Sequence, residues 1–249
     1  MSIGRRLNRL RLIAAGLPTG LSKEFYAKAS FWRPARRISS AWFGHAPFAF
    51  WLVATHRPRT IVELGTHSGY SFLCFCQAIE RLGYPARAYA VDTWTGDEHS
   101  GFYTEDVLQK LRSYHEPRYG KFSRLIKARF DDALHGFDDA SIDLLHIDGR
   151  HYYEDAKHDF QQWRTKLSDR AIVLFHDTSE FERGFGVFQL WSELSREAPA
   201  FEFAHSHGLG VLGWGRDLSP SVSRLLQLAP NGDVARDVRT LYKRLGATC

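Results

Sequence analysis

The chain predicts an α/β fold: a doubly wound, mostly parallel, seven-stranded sheet that ends in an antiparallel hairpin. Three observations carry this. A β-branched run, Thr60-Ile61-Val62-Glu63-Leu64, passes through Gly65 and Gly69 into a helical pattern. Apolar runs of strand length then alternate with amphipathic stretches of helix length, the signature of parallel strands joined by crossover helices. Finally, the runs around 201–205 and 209–212 are separated by too few residues for a crossover helix, so they pair antiparallel.

In order, the pattern places strand 60–64, helix 68–82, strand 87–92, loop 93–102, helix 104–114 and strand 122–127. Strand 142–148, helix 153–167, strand 171–177 and helix 185–197 follow, then the hairpin and a C-terminal helix over 233–245. Ala41–Thr55 is densely aromatic (Trp42, Phe43, Phe48, Phe50, Trp51) and is expected to pack on the core and partly roof the ligand site. Domain boundaries are set at 1–40, a basic helical N-terminal arm, 41–215, the ligand-binding body, and 216–249, a C-terminal helical extension.

At 249 residues and 44% hydrophobic composition the chain can bury a large core. Its three cysteines (Cys74, Cys76, Cys249) offer no disulfide framework and suit a reducing compartment. No signal core or membrane-spanning run is recognisable, so a cytoplasmic location is expected. Residues 1–40 hold nine basic side chains against one acid, a surplus of eight within a total of +5, which leaves the remainder at −3. The basic character belongs to the arm. It reads as a solvated basic helix or as a peripheral contact with an anionic surface. Without a basic groove in the body, nucleic acid is not expected as a partner. A homo-oligomer stays open.

Three strand ends carry acids: Glu63, Asp148 and Asp177. In open α/β sheets, ligands lie outside the carboxyl ends of the strands, where strand order reverses. Gly65 and Gly69 allow close backbone approach, with Thr66, His67 and Ser71 beside them at the helix N-terminus. Asp92, ending the second strand, is placed to accept from two ribose hydroxyls. A dinucleotide site would carry G-x-G-x-x-G and a pyrophosphate cradle. Here the glycines read G-x-x-x-G behind Glu63, whose charge would repel pyrophosphate but suits a sulfonium ligand bearing an ammonium group. That logic favours S-adenosylmethionine over a nicotinamide cofactor. Trp94 is expected to cover the cofactor, Arg129 and Phe130 to flank its adenine, and Asp97 and His99 to reach an acceptor.

Glu63–Ser71, E-L-G-T-H-S-G-Y-S, resembles the first motif of metal-dependent small-molecule O-methyltransferases of the catechol and caffeoyl-CoA type, E-[IL]-G-x-x-x-G-Y-S. Residues 42–215 also resemble a bacterial group of antibiotic-pathway and sugar O-methyltransferases, with I-D-G-x-H-x-Y after the fourth strand (Ile147 to Tyr153 here) and H-D after the fifth (His176-Asp177). The hairpin ending matches the class I methyltransferase fold, a Rossmann-like sheet. The resemblance implies S-adenosylmethionine as cofactor and a divalent metal, Mg²⁺ first and Mn²⁺ second, held by Asp148, His176 and Asp177. It implies His151 and Asp148 as catalytic residues, with His151 as general base where the catechol and caffeoyl-CoA enzymes carry lysine. The expected acceptor is a hydroxyl of a small molecule or glycan. Three readings stand beside it: a metal-independent enzyme using His151 alone, a nicotinamide-dependent oxidoreductase, and a non-catalytic accessory domain. Asp148 also has a plainer reading, as the cap of the helix that follows it.

Overall fold

The structure, a computed structural model, describes residues 20–249, so the first nineteen residues of the basic arm lie outside them. Seven strands form one sheet: β1 (Thr60–Leu64), β2 (Arg87–Asp92), β3 (Ser123–Lys127), β4 (Ile142–Ile147), β5 (Leu167–His176), β6 (Ala200–Phe203) and β7 (Leu209–Gly213). Their order is β3-β2-β1-β4-β5-β7-β6, parallel except that β7 runs antiparallel to both β5 and β6. This is the predicted doubly wound sheet with its hairpin ending, the class I methyltransferase architecture. Strand order reverses between β1 and β4, and that reversal places the ligand crevice above their C-terminal ends.

Both faces of the sheet are covered, so the central strands bury every residue or nearly so. Alternation still decides which side each residue serves. Ile61 and Leu144 join the core beneath α1 (Ala46–His56) and α2 (Tyr70–Leu82). Val62, Leu64, Leu145 and Ile147 join the opposite core, under α5 (Tyr153–Trp163) and α6 (Val187–Glu197). Between these lie α3 (Asp106–Tyr119) and the short α4 (Phe130–Leu134), and the chain finishes with α7 (Pro220–Leu226) and α8 (Asp233–Gly246).

The aromatic segment 41–55 becomes a 3-10 turn and the largely buried helix α1. It packs on the core as expected, but none of its residues lines the ligand cavity, so the expected roof is absent. Residues 20–40 form two 3-10 turns that bury Phe25 and Ala29 against the same core as α1 and α8, where a helix broken near Pro34 was expected. α2 begins at Tyr70, two residues later than predicted, because Gly69 at φ +86° holds the preceding turn in a left-handed conformation. Among the described residues no helix is long and apolar enough to cross a membrane.

Candidate active site

A cavity of about 280 Å³ opens above the C-terminal ends of β1, β2, β3 and β4. Gly65 forms its floor with φ +84°, and a Cβ there would come within 2.0 Å of the Asp148 carbonyl oxygen. Only glycine lets the β1 and β4 turns approach so closely. Gly69 also has a positive φ, but its contact is with Leu111 rather than with the cavity.

Asp92, the last residue of β2, lines the cavity and organises the loop around it. Its Oδ2 accepts from the backbone N–H groups of Thr66 and His67, both at 2.8 Å, and Oδ1 accepts from Trp94 N–H at 2.7 Å. A carboxylate offers about four acceptor positions, so three are taken and room remains for one ligand hydroxyl rather than two. Trp94 does not cover this space. It is buried, and its indole N–H donates to the His67 carbonyl at 2.9 Å, pinning the loop. His67, Arg129 and Phe130 line the cavity, while Thr66 and Ser71 are buried behind it.

Glu63 departs furthest from expectation. It sits inside the β1 ladder, paired in register with His146 of β4, and has no exposed surface. The His146 Nδ1–H donates to Glu63 Oε2 at 2.9 Å, and His146 Nε2 accepts from the Trp42 indole at 3.1 Å. Because Nε2 accepts, the tautomer is fixed with its proton on Nδ1. Burial pushes the Glu63 carboxyl upward, partly offset by His146. Glu63 is an element of the core beneath Trp42, and this geometry offers its carboxylate no contact with a ligand.

The acids one residue past their strands behave differently. Asp148 follows β4 and Asp177 follows β5; Asp177 adopts φ +61°, so the chain has already turned where its carboxylate meets Asp148. His151 Nε2 lies 2.9 Å from Asp177 Oδ2 and 3.6 Å from Asp148 Oδ1. Ligand atoms of Asp148, His151 and Asp177 all fall within 4.8 Å of one another, a spacing that suits a metal ion. This convergent trio replaces the Asp148–His176–Asp177 set of the sequence reading.

His176 lies beneath the trio, wholly buried. Its Nδ1 is 3.1 Å from Asp148 Oδ1 and 3.3 Å from Asp177 Oδ2, and its Nε2 donates to the Ser206 carbonyl at 3.1 Å. Burial opposes its charge, but the two carboxylates prevail and hold it well above the ordinary histidine range. Both of its ring nitrogens are committed within the fold, Nδ1 to the two carboxylates and Nε2 to the Ser206 carbonyl, so it supplies charge from behind rather than a ligand atom. The carboxylates respond in kind. Burial would raise both, yet His176 and the bond from His151 hold Asp177 at about 2 and Asp148 well below its usual range. His151 follows the same logic: burial lowers it, Asp148 and Asp177 outweigh burial, and it reaches about 9. Two carboxylates and two imidazoliums thus neutralise one another. Asp148 does not cap α5, whose N-cap is Tyr152.

His151 stacks on Phe185 with ring centroids 4.6 Å apart. His99 packs against both and reaches the Arg183 carbonyl at 2.9 Å, so it bridges two loops over the trio and does not line the cavity. Asp97 does line it, but its Oδ1 accepts from the His99 and Ser100 backbones in a tight turn. The sequence reading missed Phe185, Gly149, Arg150 and Asp159. The first lies in a loop without periodicity. Gly149 and Arg150 lie inside the I-D-G-x-H-x-Y match without having been given a role, and Asp159 lies beyond it on the following helix.

Residues 62–178 match a family of methyltransferase domains. That match takes in just under half of the chain, and the strand order with its hairpin ending is that of the class I methyltransferase fold. It is 50% identical over 186 residues to the uncharacterized protein y4gI of Sinorhizobium fredii (strain NBRC 101917 / NGR234), covering 75% of this chain and 20% of that protein. The chain therefore spans about a fifth of that relative's length. Among solved structures, it resembles a Staphylococcus aureus protein provisionally named a caffeoyl-CoA O-methyltransferase, with TM-score 0.56, 13% identity, and coverage of 84% of this chain and 100% of that one. It also resembles the O-methyltransferase TomG of Streptomyces achromogenes, involved in tomaymycin synthesis and solved with S-adenosylmethionine. There the TM-score is 0.52 and the identity 16%, over 86% of this chain and 100% of that one. At such identities the likeness is one of fold.

Proposed function

We propose that this methyltransferase domain methylates a hydroxyl of a small molecule or glycan, with a divalent ion held by Asp148, His151 and Asp177. The observation that carries the reading is the convergence of these three ligand atoms, with Asp148 and His151 lining the same cavity as Asp92 and Phe130. A donor with its ribose at Asp92 and its base at Phe130 would bring its sulfonium toward Asp148.

The residues fit both groups. Gly65 lets the β1 turn close against Asp148 in the cavity lining, and Asp92 keeps one free acceptor position. Two hard carboxylate oxygens and one imidazole nitrogen form a donor set compatible with Mg²⁺ and better suited to Mn²⁺. Bound S-adenosylmethionine supplies an electrophilic methyl group, and a divalent ion lowers the pKa of a nearby hydroxyl. The chain contributes alignment and charge. Asp148 and Asp177 fix the acceptor end, His176 keeps both carboxylates ionised, and Phe185 holds the His151 ring in place.

A second reading needs no metal: His151 accepts the hydroxyl proton itself, oriented by Asp177 at 2.9 Å, with its Nδ1 unpartnered. It would first have to surrender the proton that the two carboxylates stabilise. The test is a thermal-shift titration with S-adenosylhomocysteine, with and without Mn²⁺, followed by labelled methyl transfer to a panel of sugars and phenols. Stabilisation by both ligands and chelator-sensitive transfer are expected. Chelator-resistant transfer would select the second reading; no response to S-adenosylhomocysteine would end both.

A further inference from the structure

One side chain in the cavity has no part in the chemistry above. Asp159 of α5 lines the cavity and is 7% exposed. Among the described residues it makes no hydrogen bond or ion pair, although it has cationic neighbours. His158 is committed to Asp131 at 2.9 Å, and Arg150 to Glu98 at 3.0 Å and Asp155 at 3.6 Å. Burial pushes its carboxyl up to about 7; His158 pulls it down, and Asp155 and Asp131 add to the rise.

A buried carboxyl without a partner costs free energy, so a native site that keeps one has a role for it. Its surroundings identify the missing partner. Gly149 separates Asp159 from Phe130: a Cβ on Gly149 would lie 2.6 Å from Phe130 Cε2 and 3.3 Å from Asp159 Oδ2. Glycine there lets the Phe130 ring and the Asp159 carboxyl converge on one narrow part of the cavity wall, a slot that all three line. The slot lies beyond Asp92, where a nucleoside whose ribose sits at β2 places its base. Adenine is flat, and its amino edge carries N–H donors beside a ring nitrogen acceptor. A carboxyl that gains and loses its proton near neutrality can answer both.

We propose that Asp159 is a specificity-determining residue that hydrogen-bonds the amino edge of the donor's adenine. The proposal rests on the donor reading above. It assigns Asp159 a ligand contact through its own carboxyl, with Phe130 and Gly149 shaping the slot.

The test pairs two ligands with three proteins, using calorimetry at fixed pH. The ligands are S-adenosylhomocysteine and its analogue with hydrogen in place of the 6-amino group. The proteins are the wild type, Asp159→Asn and Asp159→Leu. In the wild type, removing the amino group should weaken binding about tenfold or more, the scale of one hydrogen bond to a charged group. Asp159→Leu should weaken S-adenosylhomocysteine by a similar factor and bind the two ligands alike. Asp159→Asn should fall between, because its amide oxygen still accepts from the amine. Melting temperatures without ligand should hold or rise, which separates lost recognition from lost folding. Full discrimination retained by Asp159→Leu, or wild-type indifference to the amino group while S-adenosylhomocysteine still binds, overturns the proposal and leaves the donor reading standing. Failure of the wild type to bind S-adenosylhomocysteine removes the donor reading, and this proposal with it.

Discussion

Glu63 and Asp148 are the acids near the C-terminal ends of two adjacent apolar strands, and each has a histidine within hydrogen-bond reach. One is a core residue and the other faces a cavity, and a single step in register separates the two fates. Glu63 is inside the ladder, opposite His146, so its direction is fixed by the pleat and it points into the face covered by Trp42. Asp148 lies one residue past β4, where the chain is free to turn outward. An acid at the end of a strand becomes available for chemistry when it has left the ladder.

The contrast is sharpest in metal binding. Asp148→Asn and Asp177→Asn should each weaken Mn²⁺ by more than about a hundredfold, since losing even an outer-shell partner of a metal ligand costs roughly 10–100-fold. Glu63→Gln should leave Mn²⁺ within about threefold, because its amide oxygen can still accept from His146. Paramagnetic titration of the three variants tests this. Equal losses in Glu63→Gln and Asp148→Asn would break the distinction. In stability the order reverses. Glu63→Ala strands the His146 Nδ1–H in the core and opens a cavity, at a combined cost of about 3 kcal/mol by urea unfolding. Asp148→Asn should not approach that cost, since its side chain borders the cavity.

The sheet was legible because its signals are local: hydrophobic period, strand length, and a hairpin loop too short for a crossover. The cluster of Asp148, His151 and Asp177 was legible as residues but not as a set. Choosing His151 over His176 as the third member depends on Asp177 turning at positive φ and on the Ser206 carbonyl engaging His176 from a distant loop. Neither leaves a trace in a strand pattern. Trp94 failed for a related reason. An aromatic side chain beside a ligand site reads as a cover, yet the His67 carbonyl offered its indole N–H a buried partner. Asp159 was overlooked because a helical position among Lys157, His158 and Phe160 reads as surface; Gly149 and Phe130 enclose it only after folding.

Asp92 tests the comparison from the donor side, with a smaller expected effect. Like Glu63 it is the acid of its strand, but it is the last residue of β2 and reaches both the loop and the cavity. Asp92→Ala releases the N–H groups of Thr66, His67 and Trp94 together. S-adenosylhomocysteine affinity should fall by about tenfold to a hundredfold, on the scale of one or two charge-assisted hydrogen bonds. Mn²⁺ binding measured on the same variant should stay near wild type; a parallel collapse of both would mean that the two ends of the cavity form one structural unit.

The smallest effect is the pH dependence of Asp159, and its sign follows from burial. The carboxyl titrates at about 7 in the folded protein against 3.8 when unfolded. Ionisation is therefore disfavoured by folding, and the residue destabilises rather than stabilises. The penalty is absent below the unfolded value, grows as pH rises toward 7, and is complete above it. The charged groups facing it (Asp155 and His158 on its own helix, Asp131 on α4) are paired elsewhere or acidic, so no neighbour cancels the trend. Asp159→Asn should thus be more stable than wild type by about 1–2 kcal/mol at pH 8, with the advantage shrinking toward zero near pH 4. Melting curves of both proteins without ligand at these two values decide it. An advantage that grows as pH falls would mean the carboxylate has a partner in the folded chain, and would return Asp159 to the class of Glu63: an acid held by the core.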